Sequence, residues 1–449
     1  MLHERFFREA TEEEVAKETS LPFTRDQIEA ITEECPTPFY IYDEAAIRQR
    51  AQSFRSAFAW SPDFINFFAV KALPNPHIVN ILKEEGFGTD CSSEAELELA
   101  RKIGLRGDKI MFTSNNTPTR EFAMAQDLGA IINLDDITHL PYLERHVGLP
   151  DTLCFRFNPG PQIEGNSIIG KPEESKYGLR EDQMLDACRM ALAKGVRNLG
   201  IHTMVASNER SPEALRQTDK MMFGLAQRLN DIGAKISFIN LGGGIGVPYE
   251  LSHKPVDIQQ ISQQIQRDYQ EMIAAQSLAP IRMMMECGRY VTGPYGYFVT
   301  KVRHIAEKYR HYIGVDGNIT SFPRIAMYDA YHHLTVLGKE GAPREMVYDV
   351  TGSLCENNDK FAKERELPEI DLDDFVIVHE GGAHAIAMAN EYNGRLLPAE
   401  LLLKPDGSVL QIRRARTVDD YFSTITNFPG FGDLKDEVSP TLPSYIRPF

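Results

Sequence analysis

Between about Pro38 and Gly293 the chain alternates short apolar runs with longer, charge-rich stretches of helical spacing, the pattern of repeated β-α units around a parallel sheet. The runs that read as strands are Phe64–Val70, Gly88–Cys91, Ile110–Phe112, Ala130–Leu134, Leu153–Phe157, Asn198–Thr203, Phe238–Leu241 and Arg282–Glu286. Eight of them, over roughly 250 residues, fit a TIM-like (β/α)8 barrel in number and length. Lys71, Asp90, His202, Gly242 to Gly244 and Glu286 each fall at, or just past, the C-terminal end of one run. In such a barrel that end carries the active site, so these residues are candidates for chemistry.

Beyond Gly293 the texture changes. Phe298–Ile305, Glu345–Val350, Asp374–His379 and Ser408–Ile412 read as strands, with no long amphipathic helix between them. The pattern predicts an α/β chain of two domains, a barrel over 38–293 and a β-sandwich or β-barrel domain over 294–449, to which residues 1–37 add. No repeat, low-complexity tract or flexible linker interrupts either part.

Charge narrows the class of partner. Lys and Arg number 48 against 64 Asp and Glu, a net charge of −16 with no basic run, which speaks against nucleic acid. No uninterrupted apolar run approaches the roughly 18 residues of a membrane span, and Met1 to Glu14 has no apolar signal-like core. The expectation is a cytoplasmic protein that acts on a small molecule, with neither membrane nor nucleic acid as partner. The six cysteines, Cys35, Cys91, Cys154, Cys188, Cys287 and Cys355, are scattered without CxxC pairs or clustered histidines. Free, mostly buried thiols are expected, and no metal site.

Each candidate has a plain alternative. Lys71 ends the apolar segment Phe67-Phe68-Ala69-Val70-Lys71, where burial would favour the free amine that forms an imine with an aldehyde cofactor. A strand-end lysine also reaches solvent easily. Gly242-Gly243-Gly244 follows a strand and can point backbone N–H groups at a phosphate, but such turns are common connectors and the spacing is neither GxGxxG nor Walker. Glu286-Cys287-Gly288-Arg289 brings a carboxylate and a guanidinium to the barrel mouth. The first could keep a pyridine nitrogen protonated and the second could hold a phosphate or carboxylate, or the two could pair with each other. Cys355, in the turn-rich stretch Gly352–Asp359, is either a proton donor or inert.

Taken in order, these segments resemble the fold type III pyridoxal phosphate (PLP) decarboxylases, the family of diaminopimelate, ornithine and arginine decarboxylases, over roughly Thr37 to Leu403. The resemblance is greatest to the diaminopimelate enzymes. Phe68–Ala72 is similar to their YAVKAN segment, Gly242–Tyr249 to GGGLGIPY, Glu286–Arg289 to EPGR and Cys355–Asp359 to CESGD. It implies PLP as cofactor, carried as a Schiff base by Lys71, with Asp90 and His202 beside it and Glu286 paired with the pyridine nitrogen. It also implies a phosphate cradle of Gly242, Gly243, Gly244 and Ser207. Gly288 and Arg289 would hold phosphate or substrate, and Cys355 would return a proton to the carbon that loses carbon dioxide. The family further implies a homodimer with shared active sites, the Cys355 loop reaching the site of the other subunit.

Phe322–His332 is similar to the family's IRPALYDAYH segment, which implies that Arg324 and Tyr328 bind substrate. A guanidinium there suits a second carboxylate, with Glu356 taking the distal ammonium, and favours meso-diaminopimelate, decarboxylated to L-lysine. Two residues depart from the pattern. Met204 stands where the family has a histidine stacked on the pyridine ring, and His384 where it has a tyrosine that contacts the cofactor. Cys287 replaces a proline. These departures leave open a related substrate such as carboxynorspermidine, D-ornithine, D-lysine or an amino acid of a specialised pathway. A fold type III racemase and a silent PLP-binding homologue are the rival readings. The Cys355 loop argues against the first, and Lys71, Glu286, Arg289 and Cys355 together argue against the second.

Overall fold

The computed structural model describes residues 7–163 and 170–426, with the backbone of 445–446. In chain order β1 is Phe39–Asp43, and it is followed by β2 (Ile65–Ala69), β3 (Gly88–Cys91), β4 (Ile110–Thr113) and β5 (Ile131–Leu134). Next come β6 (Thr152–Phe157), β7 (Asn198–Thr203), β8 (Ile236–Asn240) and β9 (Arg282–Met285). Among the described residues β2 to β9 form a closed barrel, each strand parallel to the next, and β2 meets β9 with Ile65 opposite Met284. All eight runs expected from the sequence are barrel strands, in the expected order.

The barrel strands are buried along most of their length. Ile65, Phe67, Met111, Ile131, Cys154, Phe238 and Met284 pack together as one buried cluster. The outer helices supply the other layer. In Ile258–Tyr269 the residues Ile258, Ile261, Ile265 and Tyr269 recur at three- and four-residue steps and are buried, while Asp257 caps the start by accepting from the N–H groups of Gln259 and Gln260.

The second compact unit runs through Ile47, takes in Pro248–Lys254 and resumes at Thr292, so that the barrel unit is Arg48–Val247 with Pro255–Val291. Its later strands are β10 (Gly296–Glu307), β11 (His311–Val315), β12 (Leu334–Val336), β13 (Met346–Thr351) and β14 (Lys360–Leu367). They are followed by β15 (Phe375–Val378), β16 (Ala399–Leu403), β17 (Val409–Arg413) and β18 (Tyr445–Ile446). With β1 they make a ten-stranded mixed sheet among the described residues, in the order β14-β13-β11-β10-β1-β16-β17-β18, with β15 paired to β10 and β12 to β15. β1 lies on the barrel side of the boundary read from the sequence at 38, yet it pairs antiparallel with β10 and parallel with β16. The helix Arg25–Glu34 packs Ile28 and Ile31 into the core of this sheet with Phe39, Ile41, Val299, Ile377 and Leu401. Residues 1–6 and 427–449, assigned from sequence to this domain, lie outside the described residues apart from 445–446. No helix among the described residues is long and apolar enough to cross a membrane.

Candidate active site at the mouth of the barrel

Lys71 sits in the single 3-10 turn Val70–Ala72 that follows β2. Val70, Ala72 and Leu73 are buried, but Lys71 itself is exposed, so the burial expected for its amine is not met. The strand is covered on both faces, and the residue after it is where the chain leaves the sheet. Three acidic groups feel its charge: Asp90, Glu96 and Glu286.

Two of these acids are driven apart. Asp90, on β3, is 6% exposed, and its Oδ1 is buried with no hydrogen-bond partner. Burial above all, then repulsion from Glu286, holds its carboxyl well above the usual carboxylate range, against the pull of Lys71 and Arg156. Glu286, just past β9, is 7% exposed. Burial is the largest influence and raises it, but His202, Lys71 and Arg156 together outweigh burial and bring it below the usual range. Its Oε2 lies 2.9 Å from His202 Nε2, and its Oε1 accepts from Asn240 Nδ2 at 2.7 Å. The mouth thus holds two carboxyls whose proton affinities are shifted in opposite directions.

Asn240 also accepts from the Gly242 N–H at 2.9 Å, which ties the glycine turn to Glu286. That turn lies tight against the segment after β7. Gly242 has φ +69°, and a Cβ there would fall 2.1 Å from the Thr203 carbonyl, so only glycine fits. Glu209 donates its N–H to the Gly244 carbonyl at 2.7 Å and accepts from the Gly246 N–H at 2.8 Å, while the Gly243 N–H reaches Met204 Sδ at 3.4 Å. The glycines therefore serve the protein's own packing, with the N–H groups of Gly242, Gly243 and Gly246 all engaged within it. Arg289, 7% exposed, reaches Ser207 Oγ at 3.5 Å. A Cβ on Gly288 would meet Ala72 Cβ at 2.8 Å, so its absence lets Glu286–Arg289 lie on the Lys71 turn. Asn66 fixes the same segment by exchanging two bonds with the Cys287 backbone, at 2.8 and 3.0 Å.

The structure thus gathers Lys71, Asp90, His202, Met204, Ser207, Gly242, Gly243, Gly244, Glu286, Gly288 and Arg289 in the barrel unit. Asn66, Asn240 and Arg156 join them and were missed by sequence reasoning. Arg156 is 8% exposed, donates to Asp135 Oδ1 at 3.3 Å and lies 3.8 Å over the Tyr177 ring. The only signal for these three is a single polar residue inside an apolar strand.

The remaining candidates belong to the second unit. Arg324 is buried at the start of the helix Arg324–Tyr328, and Tyr328 at its end is 44% exposed. Cys355 is an exposed thiol whose backbone N–H donates to Asn393 Oδ1 at 3.1 Å, and the other five cysteines are buried. Asp359 shapes the Cys355 turn by accepting from the N–H groups of Ile319 and Leu354 at 2.8 and 2.7 Å. Glu356 accepts from the Asn358 N–H at 3.3 Å, and His384 is half-buried with φ +55°.

The barrel set suits PLP. Asp90 Oδ1 and His202 Nδ1 are buried polar atoms with no hydrogen-bond partner, and Ser207 and Arg289, beside the tight glycine turn, would supply donors for a phosphate. Glu286, its carboxyl held below the usual range, would suit a pyridine nitrogen, and the exposed Lys71 amine would suit an aldehyde.

Residues 44–293 match the family model described as the pyridoxal-binding domain of the pyridoxal-dependent decarboxylases. The chain is 41% identical to protein TabA of Pseudomonas amygdali pv. tabaci, covering 89% of this chain and 93% of that protein. It is 34% identical to the diaminopimelate decarboxylase of Methanothermobacter thermautotrophicus, covering 87% and 92%. The crystal structure of M. jannaschii diaminopimelate decarboxylase with L-lysine aligns at a TM-score of 0.81 and 27% identity, over 88% of this chain and 94% of that one. Matched by its barrel sequence, its whole-length relatives and its fold, the chain belongs to the fold type III pyridoxal-dependent decarboxylases, with PLP as cofactor.

Proposed function

We propose that the protein removes carbon dioxide from the D-configured end of meso-diaminopimelate and releases L-lysine. The observation that carries this reading is the buried guanidinium of Arg324, 3% exposed, in a segment similar to the substrate-binding stretch of diaminopimelate decarboxylases. A planar cation of this kind suits a second carboxylate. The similarity to the Methanothermobacter enzyme over most of both chains supports the same substrate.

Bound PLP supplies an electron sink for the pair of electrons released when carbon dioxide leaves. Lys71 is the amine that attaches it. Glu286, ionised and held by His202 and Asn240, keeps a proton on the pyridine nitrogen. Gly242, Gly243, Gly244, Ser207, Gly288 and Arg289 hold the phosphate, with Asp90, Met204 and His384 as further walls of the cofactor site. Arg324 and Tyr328 take the distal carboxylate, Glu356 the distal ammonium, and the Cys355 thiol gives a proton to the carbon that has lost its carboxylate. The enzyme is on this reading a cytoplasmic homodimer with shared sites.

A second reading is favoured by two observations: 41% identity to TabA, and Met204 bonded to the Gly243 amide where the family has a histidine. It assigns a relative of diaminopimelate as substrate, with the same chemistry. The substitution Arg324→Ala tests the first reading. It should lower kcat/KM for meso-diaminopimelate by about 30-fold or more, and change little for D-lysine, which lacks the distal carboxylate. Equal losses for both compounds would remove the argument for diaminopimelate.

A further inference from the structure

The side chain that meets the Arg324 guanidinium at its Nε is His332, which is completely buried. Its Nδ1 lies 2.8 Å from the backbone carbonyl of His379. A carbonyl only accepts, so Nδ1 carries the proton. In a neutral imidazole this leaves Nε2 as a lone pair, and Nε2 faces Arg324 Nε at 3.4 Å. Arginine has no acceptor, so this contact also requires Nε2 to accept. Both bonds specify the same tautomer.

Aromatic rings flank the imidazole on two sides. Phe322 and Tyr249 meet it edge to face, with centroids 4.6 and 5.0 Å away and planes at 83° and 67°. The Tyr249 ring also lies 4.8 Å from the Arg324 guanidinium carbon, so one aromatic side chain confines both partners. The His332 backbone carbonyl is held in turn by Arg365 Nη1 at 3.2 Å.

We propose that His332 is the positioning residue of Arg324: as a neutral Nδ1–H imidazole it accepts the Arg324 Nε–H and fixes the plane in which the guanidinium meets the distal carboxylate of the substrate. The proposal rests on the reading of Arg324 as the carboxylate-binding residue. An arginine stem with free torsions would have to be ordered on binding, and a bidentate contact tolerates little misorientation, so a preset plane favours binding of the carboxylate-bearing substrate. The chemistry at the other end of the substrate is untouched.

The test compares wild type, His332→Gln, His332→Phe and Arg324→Ala as PLP-loaded enzymes, with meso-diaminopimelate as substrate and D-lysine as alternative substrate or competitive inhibitor. His332→Phe, which keeps the ring shape without an acceptor, should raise KM for meso-diaminopimelate about tenfold with kcat within about twofold, and leave the D-lysine constant unchanged. His332→Gln, whose side-chain oxygen can replace Nε2, should restore KM to within about threefold of wild type. A folded His332→Phe enzyme with wild-type KM, or one that loses kcat and KM equally for both compounds, overturns the proposal. Nitrogen NMR of histidine-labelled wild-type enzyme reads the tautomer without any substitution: Nδ1–H is expected, and a His332 ring protonated at Nε2 also overturns the proposal. If Arg324→Ala affects both compounds alike, the reading of Arg324 has failed, and the KM of the His332 variants for meso-diaminopimelate should then follow no distal carboxylate.

Discussion

Asp90 and Glu286 lie at the same end of the barrel with their carboxyls shifted in opposite directions, the first held above the usual carboxylate range and the second below it. Repulsion from Glu286 is the second largest influence on Asp90 after burial, so the charge of one raises the proton affinity of the other. Replacing Glu286 by Gln should lower kcat by about a hundredfold or more, because the pyridine nitrogen loses its anionic partner. It should also bring the Asp90 carboxyl down toward the ordinary range, which a carbon NMR titration of Asp90 reads directly. A variant with kcat within threefold of wild type would contradict the role of Glu286.

The glycine turn gives a prediction on stability and cofactor together. At Gly242 an alanine Cβ would fall 2.1 Å from the Thr203 carbonyl, in a backbone with φ +69°. Gly242→Ala should destabilise the chain by about 1 to 3 kcal/mol and weaken PLP binding severalfold, read by melting temperature and by equilibrium titration with PLP. Unchanged values in both would show that the turn can give way.

Asp219 predicts a pH dependence outside the active site. It is buried in the helix Pro212–Asp231, and burial first, then repulsion from Asp268, pushes its carboxyl from the ordinary 3.8 up to about 8. A carboxyl raised in the folded state keeps its proton there while the unfolded chain releases it. Its contribution to stability is therefore present at low pH and is lost as pH rises from about 4 to about 8. Asn at this position keeps the acceptor for the Lys220 N–H, now at 2.6 Å, and does not titrate. Asp219→Asn should be more stable than wild type at pH 9, by no more than about 6 kcal/mol, with the gap closing toward pH 5. Equal melting at both pH values would contradict the assignment.

Much of this was legible in the sequence, and the exceptions have physical causes. Most of the eight barrel strands stand out as short runs rich in apolar residues between charge-rich helical stretches, and the strand-end positions of Lys71, Asp90 and Glu286 follow from them. β1 was not separable from the barrel, since its partners Gly296–Val299 and Ala399–Leu403 lie hundreds of residues away and leave no local trace. Asn66, Asn240 and Arg156 carry no spacing pattern, and their roles appear only when neighbouring strands are side by side. Lys71 shows the limit of reading burial from neighbours: its strand is covered and its side chain is not.

The proposed sharing of sites between subunits predicts complementation. Lys71→Ala and Cys355→Ala homodimers should each be severely impaired, with the first also losing the visible-edge absorbance of the bound cofactor. After exchange of equal amounts, about half of the dimers are mixed and each has one intact site of two, so activity should return to roughly a quarter of wild type. Fully exchanged, differently tagged heterodimers with no more activity than their parents would contradict both the dimer and the donor role of Cys355.

The most direct measurement of the central claim is release of carbon dioxide by the PLP-loaded wild-type enzyme from meso-, LL- and DD-diaminopimelate, D-lysine, D- and L-ornithine and carboxynorspermidine, with chiral analysis of the products. Meso-diaminopimelate should have the highest kcat/KM and yield L-lysine and carbon dioxide in equal amounts. No release from meso-diaminopimelate, or a far higher kcat/KM for a compound without a distal carboxylate, would contradict it.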